Sequence, residues 1–181
     1  VLLQKNPDNT IRRNSYDHWN ETQLDENNNK KVFAKDPYGR AIEVQEFNPS
    51  LAATSYHYNG ADELVVVTDS QGNKISFTFD MLGRKIGIVD GDLGTWNYTY
   101  DDVGNLLTEK NSRGITTTYT YDELDRVKTK ITPNQPSAYF YDDGLKGVLS
   151  SETNEKLTRN YTYDNRLRIA TDKKTINGTS F

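Results

Sequence analysis

Residues 98–105 read Tyr98-Thr-Tyr-Asp-Asp-Val-Gly-Asn105: aromatic, any residue, aromatic, Asp, two residues, Gly, then a polar or basic residue. The same words recur on both sides. Phe77-Thr-Phe-Asp-Met-Leu-Gly-Arg84 precedes them, and Tyr119-Thr-Tyr-Asp-Glu-Leu-Asp-Arg126, Tyr139-Phe-Tyr-Asp142 and Tyr161-Thr-Tyr-Asp164 follow. Tyr56-His-Tyr-Asn59 is an earlier copy with Asn in the Asp place, and Ser15-Tyr-Asp17 and Lys35-Asp-Pro-Tyr-Gly-Arg40 are worn copies. The marker positions 17, 36, 59, 80, 101, 122, 142 and 164 are 19, 23, 21, 21, 21, 20 and 22 apart. A self-similar period near 21 defines a repeat array, and each residue is read within that array.

The period has a simple local grammar. A strand ends in the aromatic pair, a tight turn runs from Asp to Gly, and a return strand follows, such as Leu64–Thr68, Lys85–Val89 or Leu106–Lys110. A second turn then closes the unit, as in Asp69-Ser-Gln-Gly72, Asp90-Gly-Asp-Leu-Gly94 and Asn111-Ser-Arg-Gly114. Each unit is therefore a β-hairpin of two short strands. Asp at the first and Gly at the fourth turn position suit a type I turn closed by a left-handed bulge residue, with the Asp side chain bonding backbone two residues on. Aromatics at i and i+2 share one face of a strand.

Residues 1–14 are read as an irregular lead-in that includes Val1-Leu-Leu3, and 15–181 as an array of about eight repeats. Asp25-Glu-Asn-Asn-Asn-Lys30 and Asn48-Pro-Ser50 are read as turns. The turns degrade late: Asp125 stands in the Gly place, Asp164-Asn-Arg-Leu167 lacks it, Tyr141–Gly147 is longer, and Pro133-Asn-Gln-Pro136 replaces a Gly-containing return turn. No sustained 3.6-residue period with caps is present, so the expected class is all-β. The next marker Asp falls near position 185, which puts Phe181 inside a strand and reads the chain as a fragment truncated within a longer array. Sixteen strands at ~4.8 Å each make about 77 Å of antiparallel sheet, more than open sheets hold without curling. The expected architecture is a curled or spiralling sheet, either a narrow solenoid or one arc of a larger hollow wall.

Composition excludes several classes. Hydrophobic content is 34%, and six aromatic pairs use 12 of the 20 aromatic side chains, so packing rests on tyrosine, whose hydroxyls need partners. Net charge is −4 with both signs interspersed, which gives no nucleic-acid stripe and no membrane-surface helix. There is no cysteine and no apolar run of membrane-spanning length.

Candidate chemistry is sparse. His57 lies between Tyr56 and Tyr58 and points to the opposite face, and neither it nor His18 has a second ligand nearby, so both are read as structural or exposed. Asp25–Asn29 offers oxygens at alternate positions like part of a calcium loop, but Lys30 and Asp36 stand where such a loop needs Gly and Glu, so a polar turn is the reading. Asp101-Asp102 and Asp142-Asp143 are paired carboxylates of the kind that serve acid–base work, but they recur by architecture, whereas an active site is unique. No catalytic, cofactor or metal residue is expected. Asn97-Tyr-Thr99 and Asn160-Tyr-Thr162 arise whenever Asn precedes the repeat Tyr-Thr. The residues that matter are structural markers: the pairs Tyr56/Tyr58, Phe77/Phe79, Tyr98/Tyr100, Tyr119/Tyr121, Tyr139/Tyr141 and Tyr161/Tyr163, and the turn residues Asp80, Gly83, Asp101, Gly104, Asp122, Asp142 and Asp164.

The copies resemble RHS repeats, also called YD repeats, over nearly the whole chain. Gly94-Thr-Trp-Asn-Tyr-Thr-Tyr-Asp-Asp-Val-Gly-Asn-Leu-Leu-Thr-Glu-Lys-Asn-Ser-Arg-Gly114 is close to the family consensus and recurs in register. The family includes bacterial polymorphic RHS toxins, the B and C subunits of insecticidal toxin complexes, wall-associated proteins and the animal teneurins. The resemblance implies a β-sheet that spirals into a hollow shell and, in toxin members, encloses a C-terminal effector. It implies a secreted or exported bacterial protein whose partners are the remaining repeats and plug domain of the same parent, the enclosed effector polypeptide, and a secretion or translocation component. No nucleic acid and no membrane insertion are expected. The family's self-cleaving plug block, of Asp-Pro-Leu-Gly type, has no counterpart here, since Asp36-Pro-Tyr-Gly39 is a repeat turn, so the wall function carries over without catalysis. The rival reading is a surface adhesion module that binds carbohydrate or protein through the aromatic ladder.

Overall fold

The computed structural model describes residues 2–8, 11–47 and 50–180. Among them there are strands and turns and no helix. The chain divides into two compact units, Val1–Gly94 and Thr95–Phe181.

The first unit holds β1 Leu2–Lys5, β2 Ile11–Asp17, β3 Asn20–Leu24, β4 Lys30–Lys35, β5 Ala41–Phe47, β6 Leu51–Tyr58, β7 Leu64–Thr68, β8 Lys74–Phe79 and β9 Lys85–Asp90. Each pairs antiparallel with the next. The second unit is built the same way, from β10 Gly94–Tyr100 through β11 Leu106–Lys110, β12 Thr116–Tyr121, β13 Val127–Thr132, β14 Gln135–Tyr141, β15 Leu149–Asn154, β16 Leu157–Tyr163, β17 Ile169–Ile176 and β18 Thr179–Ser180.

These eighteen strands exceed the sixteen expected from eight hairpins. The difference lies at the ends. Leu2–Lys5 pairs with Ile11–Asn14, where an irregular lead-in is expected, because short polar segments without a repeat signature still complete a ladder when a neighbouring edge offers its backbone. Val1, Phe181 and the Asn48-Pro49 part of the expected turn at 48–50 lie outside the described residues.

Within each unit, strands touch only their neighbours along the chain. No apolar side chain is fully buried among the described residues, and the buried positions are Gly87, Thr117 and Ser150. Each unit is thus a sheet one layer thick. The aromatic pairs are half-buried, and the residue between each pair (His57, Thr78, Thr99, Thr120, Phe140 and Thr162) is exposed on the other face, as the period-2 pleat demands. There the threonines bond across the hairpin: Thr99–Thr108, Thr120–Thr129 and Thr162–Thr171 each meet hydroxyl to hydroxyl at 2.6 Å.

Candidate functional site

The recurring Asp-x-x-Gly turn is a hydrogen-bond cradle. In the turn at 101–105, the Asp101 amide donates to the Asn105 carbonyl (2.9 Å), and the Gly104 amide donates back to the Asp101 carbonyl (3.2 Å). The Asp101 carboxylate fills the concave side: Oδ1 accepts from the amides of Val103 (3.1 Å) and Asn105 (2.8 Å), and Oδ2 accepts from Asn105 Nδ2 (3.0 Å). Gly104 sits at φ 100°, a conformation that costs a side-chain-bearing residue ~1–2 kcal/mol. The strand register slips by one residue beside the turn, from Thr99 opposite Thr108 to Tyr100 opposite Leu106, so the bulge falls next to the second aromatic. The same slip occurs at Lys35, Tyr58, Phe79, Tyr121, Tyr141 and Tyr163.

The cradle reaches further than the sequence words. Asp36, a worn copy, makes the whole of it, with amides of Tyr38 and Arg40 on Oδ1 and Arg40 Nε on Oδ2 at 2.6 Å. Return turns make it too, at Asp25, Asp69 and Asn111. The calcium-like oxygens of Asp25 are therefore turn-bonding groups, held by the amides of Asn27 and Asn29 at 2.8 Å. Asp17 does not form the cradle. Asp17 and Asn20 pair directly across His18 and Trp19, and Asp17 Oδ1 lies 2.7 Å from His18 Nδ1. Asp142 uses a longer version, with its Oδ1 accepting from Gly147 N at 2.6 Å and Asp142 N donating to Val148 O at 3.1 Å.

Two contacts tie one repeat to the next. The first runs through the second aromatic of four of the pairs. Tyr58 Oη donates to the Ala41 carbonyl (3.1 Å), Tyr121 to Leu106 (2.9 Å), Tyr141 to Val127 (2.9 Å) and Tyr163 to Leu149 (2.7 Å). Each acceptor opens the return strand of the preceding hairpin. This supplies the hydroxyl partners that a tyrosine-based packing requires, and burial raises the phenol pKa of Tyr121 and Tyr141.

The second contact runs along the turn edge. The residue four after the marker reaches the following turn: Arg40 bonds Asp62, Asn105 Nδ2 bonds Asp125 Oδ1 at 2.8 Å, and Arg126 Nη2 bonds Asp142 Oδ2 at 2.7 Å while still holding Asp122 at 2.7 Å. Arg40 and Arg126 also lie over the rings of Tyr58 and Tyr141, 4.7 and 4.3 Å from their centroids. The Arg126 hydrogen bond, helped by the Gly147 amide, holds the Asp142 carboxyl down at about 2. Asp122 and Asp164 are lowered first by the side chains of Arg126 and Arg168, and Asp80 first by the Arg84 backbone amide.

The bond from the turn Asp to the amide two residues on was the part of the cradle expected from the sequence. Sequence reasoning missed the amide and side chain at the fourth position. The signal was present, because Arg40, Arg84, Asn105, Arg126 and Arg168 all follow the marker by four. A local polar cluster joins Arg159 to Glu152 (3.1 Å) and Asp172 (2.6 Å), with Tyr161 Oη donating to Glu152 at 3.0 Å. Among the described residues no group of three acidic or histidine side chains is placed to share a metal ion.

The geometry defines a repeat protein whose neighbouring hairpins within each unit are joined by backbone ladder, several of them also by a tyrosine hydroxyl or a turn-edge side chain. Residues 100–136 match the family model described as RHS Repeat. No curated protein matches it by sequence. Its fold is similar to a crystal structure of TcdB2-TccC3-Cdc42, with a TM-score of 0.78 and 14% identity over 96% of this chain and 11% of that one. It is also similar to TcdB2-TccC3 (TM-score 0.66, 14% identity, 95% of this chain and 12% of that one) and to a Photorhabdus luminescens Tc holotoxin pore (0.60, 14%, 95% and 14%). At that identity the likeness concerns the fold alone. The chain spans about a ninth of the length of the first of these.

Proposed function

We propose that this chain is a non-enzymatic wall segment of an RHS/YD-repeat shell that encloses a toxin or effector polypeptide for delivery from an exporting bacterium. The observation that carries this reading is the pairing, within each unit, of a one-layer sheet with side-chain bonds that tie repeats together. A sheet without a core of its own serves as a partition: its backbone is satisfied within the sheet, and both faces are available. Of the paired carboxylates, Asp101 and Asp142 accept from turn amides, which supports a structural role for them. The half-buried tyrosine rings support packing in place of an adhesive platform. No helix among the described residues is long and apolar enough to cross a membrane.

On this reading the chain is one stretch of about eight repeats in a longer array, and its partners are further repeats, a plug domain, the enclosed polypeptide and an export component. The test is the coding sequence flanking residues 1 and 181. Further repeats of about 21 residues leading to a plug block and an unrelated C-terminal domain are expected. A surface anchor and no further repeats would overturn the reading.

A further inference from the structure

The sequence holds two Asn-Gly pairs, and the fold treats them differently. Asn59-Gly60 opens a marker turn. Asn59 is half-buried, and its carboxamide is held at both ends: Oδ1 accepts from the amides of Ala61 (2.9 Å) and Glu63 (3.0 Å), and Nδ2 donates to Glu63 Oε2 at 2.6 Å. Asn177-Gly178 forms the two-residue turn between β17 and β18, with Ile176 directly opposite Thr179. Both turn residues are left-handed, at φ 47° and 86°, the type I′ geometry that Asn-Gly favours. Asn177 is exposed, and among the described residues its carboxamide carries no hydrogen bond. Its backbone amide alone is engaged, donating to the Lys156 carbonyl at 3.1 Å. Open space surrounds the missing Cβ of Gly178.

We propose that Asn177 is a site of spontaneous self-modification, converting through a succinimide to aspartate and isoaspartate, and that the turn cradle withholds Asn59 from the same reaction. The Gly178 nitrogen, having lost its proton to solvent base, attacks the Asn177 Cγ. The N–Cγ bond forms, the Cγ–Nδ2 bond breaks, and the leaving nitrogen takes up a proton and departs as ammonia. Water then opens the ring, at one carbonyl to give aspartate and at the other to give isoaspartate. Water is the only co-reactant, and nothing is oxidised or reduced. Glycine obstructs the attack least, because it lacks a Cβ and its backbone turns freely. The carboxamide must swing toward the backbone before the ring can close. At Asn177 that swing breaks no side-chain bond, whereas at Asn59 it breaks three. Either product places a carboxylate at the tip of the turn. Isoaspartate also routes the backbone through the side-chain carbons, which lengthens a two-residue turn by a methylene and disturbs the Asn177 tether to Lys156.

The test is peptide mapping of the folded chain after incubation in mildly alkaline water enriched in the heavy isotope of oxygen, which marks each newly formed carboxylate. The urea-denatured chain is the reference, and each site's rate in the folded chain is divided by its own rate in the denatured one. That ratio is expected to be about tenfold higher at Asn177 than at Asn59, the rate factor set by breaking the bonds on the Asn59 carboxamide. Aspartate and isoaspartate peptides, separated by chromatography, are both expected at position 177. A ratio at Asn59 equal to or above that at Asn177, or an Asn177 that stays unconverted in the folded chain, would overturn the proposal.

Discussion

Asp125 stands where other marker turns have glycine, at φ 59°, and its carboxylate accepts a 2.8 Å hydrogen bond from Asn105 of the preceding repeat. What reads in sequence as a degraded turn is an exchange: glycine's freedom is given up for a bond between repeats. Asp62, at φ 65°, makes the same exchange with Arg40. At Gly83 the Glu63 carboxylate of the preceding repeat lies 3.2 Å from where a Cβ would stand, so even a glycine turn is approached from the same direction.

Leu167 fills the same place at φ 60° in the intact turn of Asp164, with the Leu167 amide 2.9 Å from the Asp164 carbonyl. An apolar side chain has no bond to offer in return for the left-handed backbone. Leu167→Gly is expected to raise stability by about 0.5–1 kcal/mol, the relief of left-handed strain less glycine's added chain entropy. Asp125→Gly is expected within ~0.5 kcal/mol of the parent, because relief and the lost Asn105 bond oppose each other. Urea denaturation midpoints of the two variants check this.

Gly104 has open space around its missing Cβ, so a substitution there meets backbone strain and nothing else. Gly104→Val is expected to cost at least ~1–2 kcal/mol. Gly60 has equal space without a left-handed backbone, and Gly60→Ala is expected to be nearly neutral. Thermal melts of the pair separate conformation from packing.

The tyrosine tethers are separable from the rings that carry them. Tyr121→Phe, Tyr141→Phe and Tyr163→Phe each keep the half-buried ring and delete the donor to Leu106, Val127 or Leu149. Each is expected to lower stability by about 0.5–1.5 kcal/mol. Tyr119→Phe, at the first place of its pair, is the comparison. Equal losses at both places would assign the effect to general packing.

Acid weakens the turn edge in a defined window. The Asp142 carboxyl is held down at about 2 by Arg126, below its ordinary value of 3.8. A carboxylate lowered in the fold stabilises it fully above the unfolded pKa and loses that contribution as pH falls through the folded value. Stability is therefore expected to decline from about pH 4 toward pH 2. Asp80, Asp122 and Asp164 shift in the same direction. Asp142→Asn is expected to lower the melting temperature at pH 7 and to reduce the slope between pH 4 and 2. Because these groups are only half-buried, ~1 M salt is expected to flatten it as well.

The hairpins, the shared face of the aromatic pairs and the bulge beside each turn were legible because period, residue type and backbone geometry agree in words such as Tyr98–Asn105. The expectation faltered where they part company. Asp36-Pro-Tyr-Gly39 lost its aromatic pair and kept the whole turn, whereas Ser15-Tyr-Asp17 kept a tyrosine and lost the turn to a two-residue hairpin at His18-Trp19. Leu167 carries no local sign of a left-handed backbone, which is imposed by the hydrogen bonds on either side of it. The bonds between repeats join residues 14 to 22 apart, such as Tyr163 to Leu149 and Arg40 to Asp62, and a local pattern does not expose contacts at that range.

Protease accessibility of the intact parent protein tests the wall reading most directly. The protein is digested under native conditions, and again after mild denaturant opens the sheet, and the released peptides are identified by mass spectrometry. The account predicts that peptides from a non-repeat polypeptide segment appear only after opening. Their release at the same rate from the native protein would contradict it.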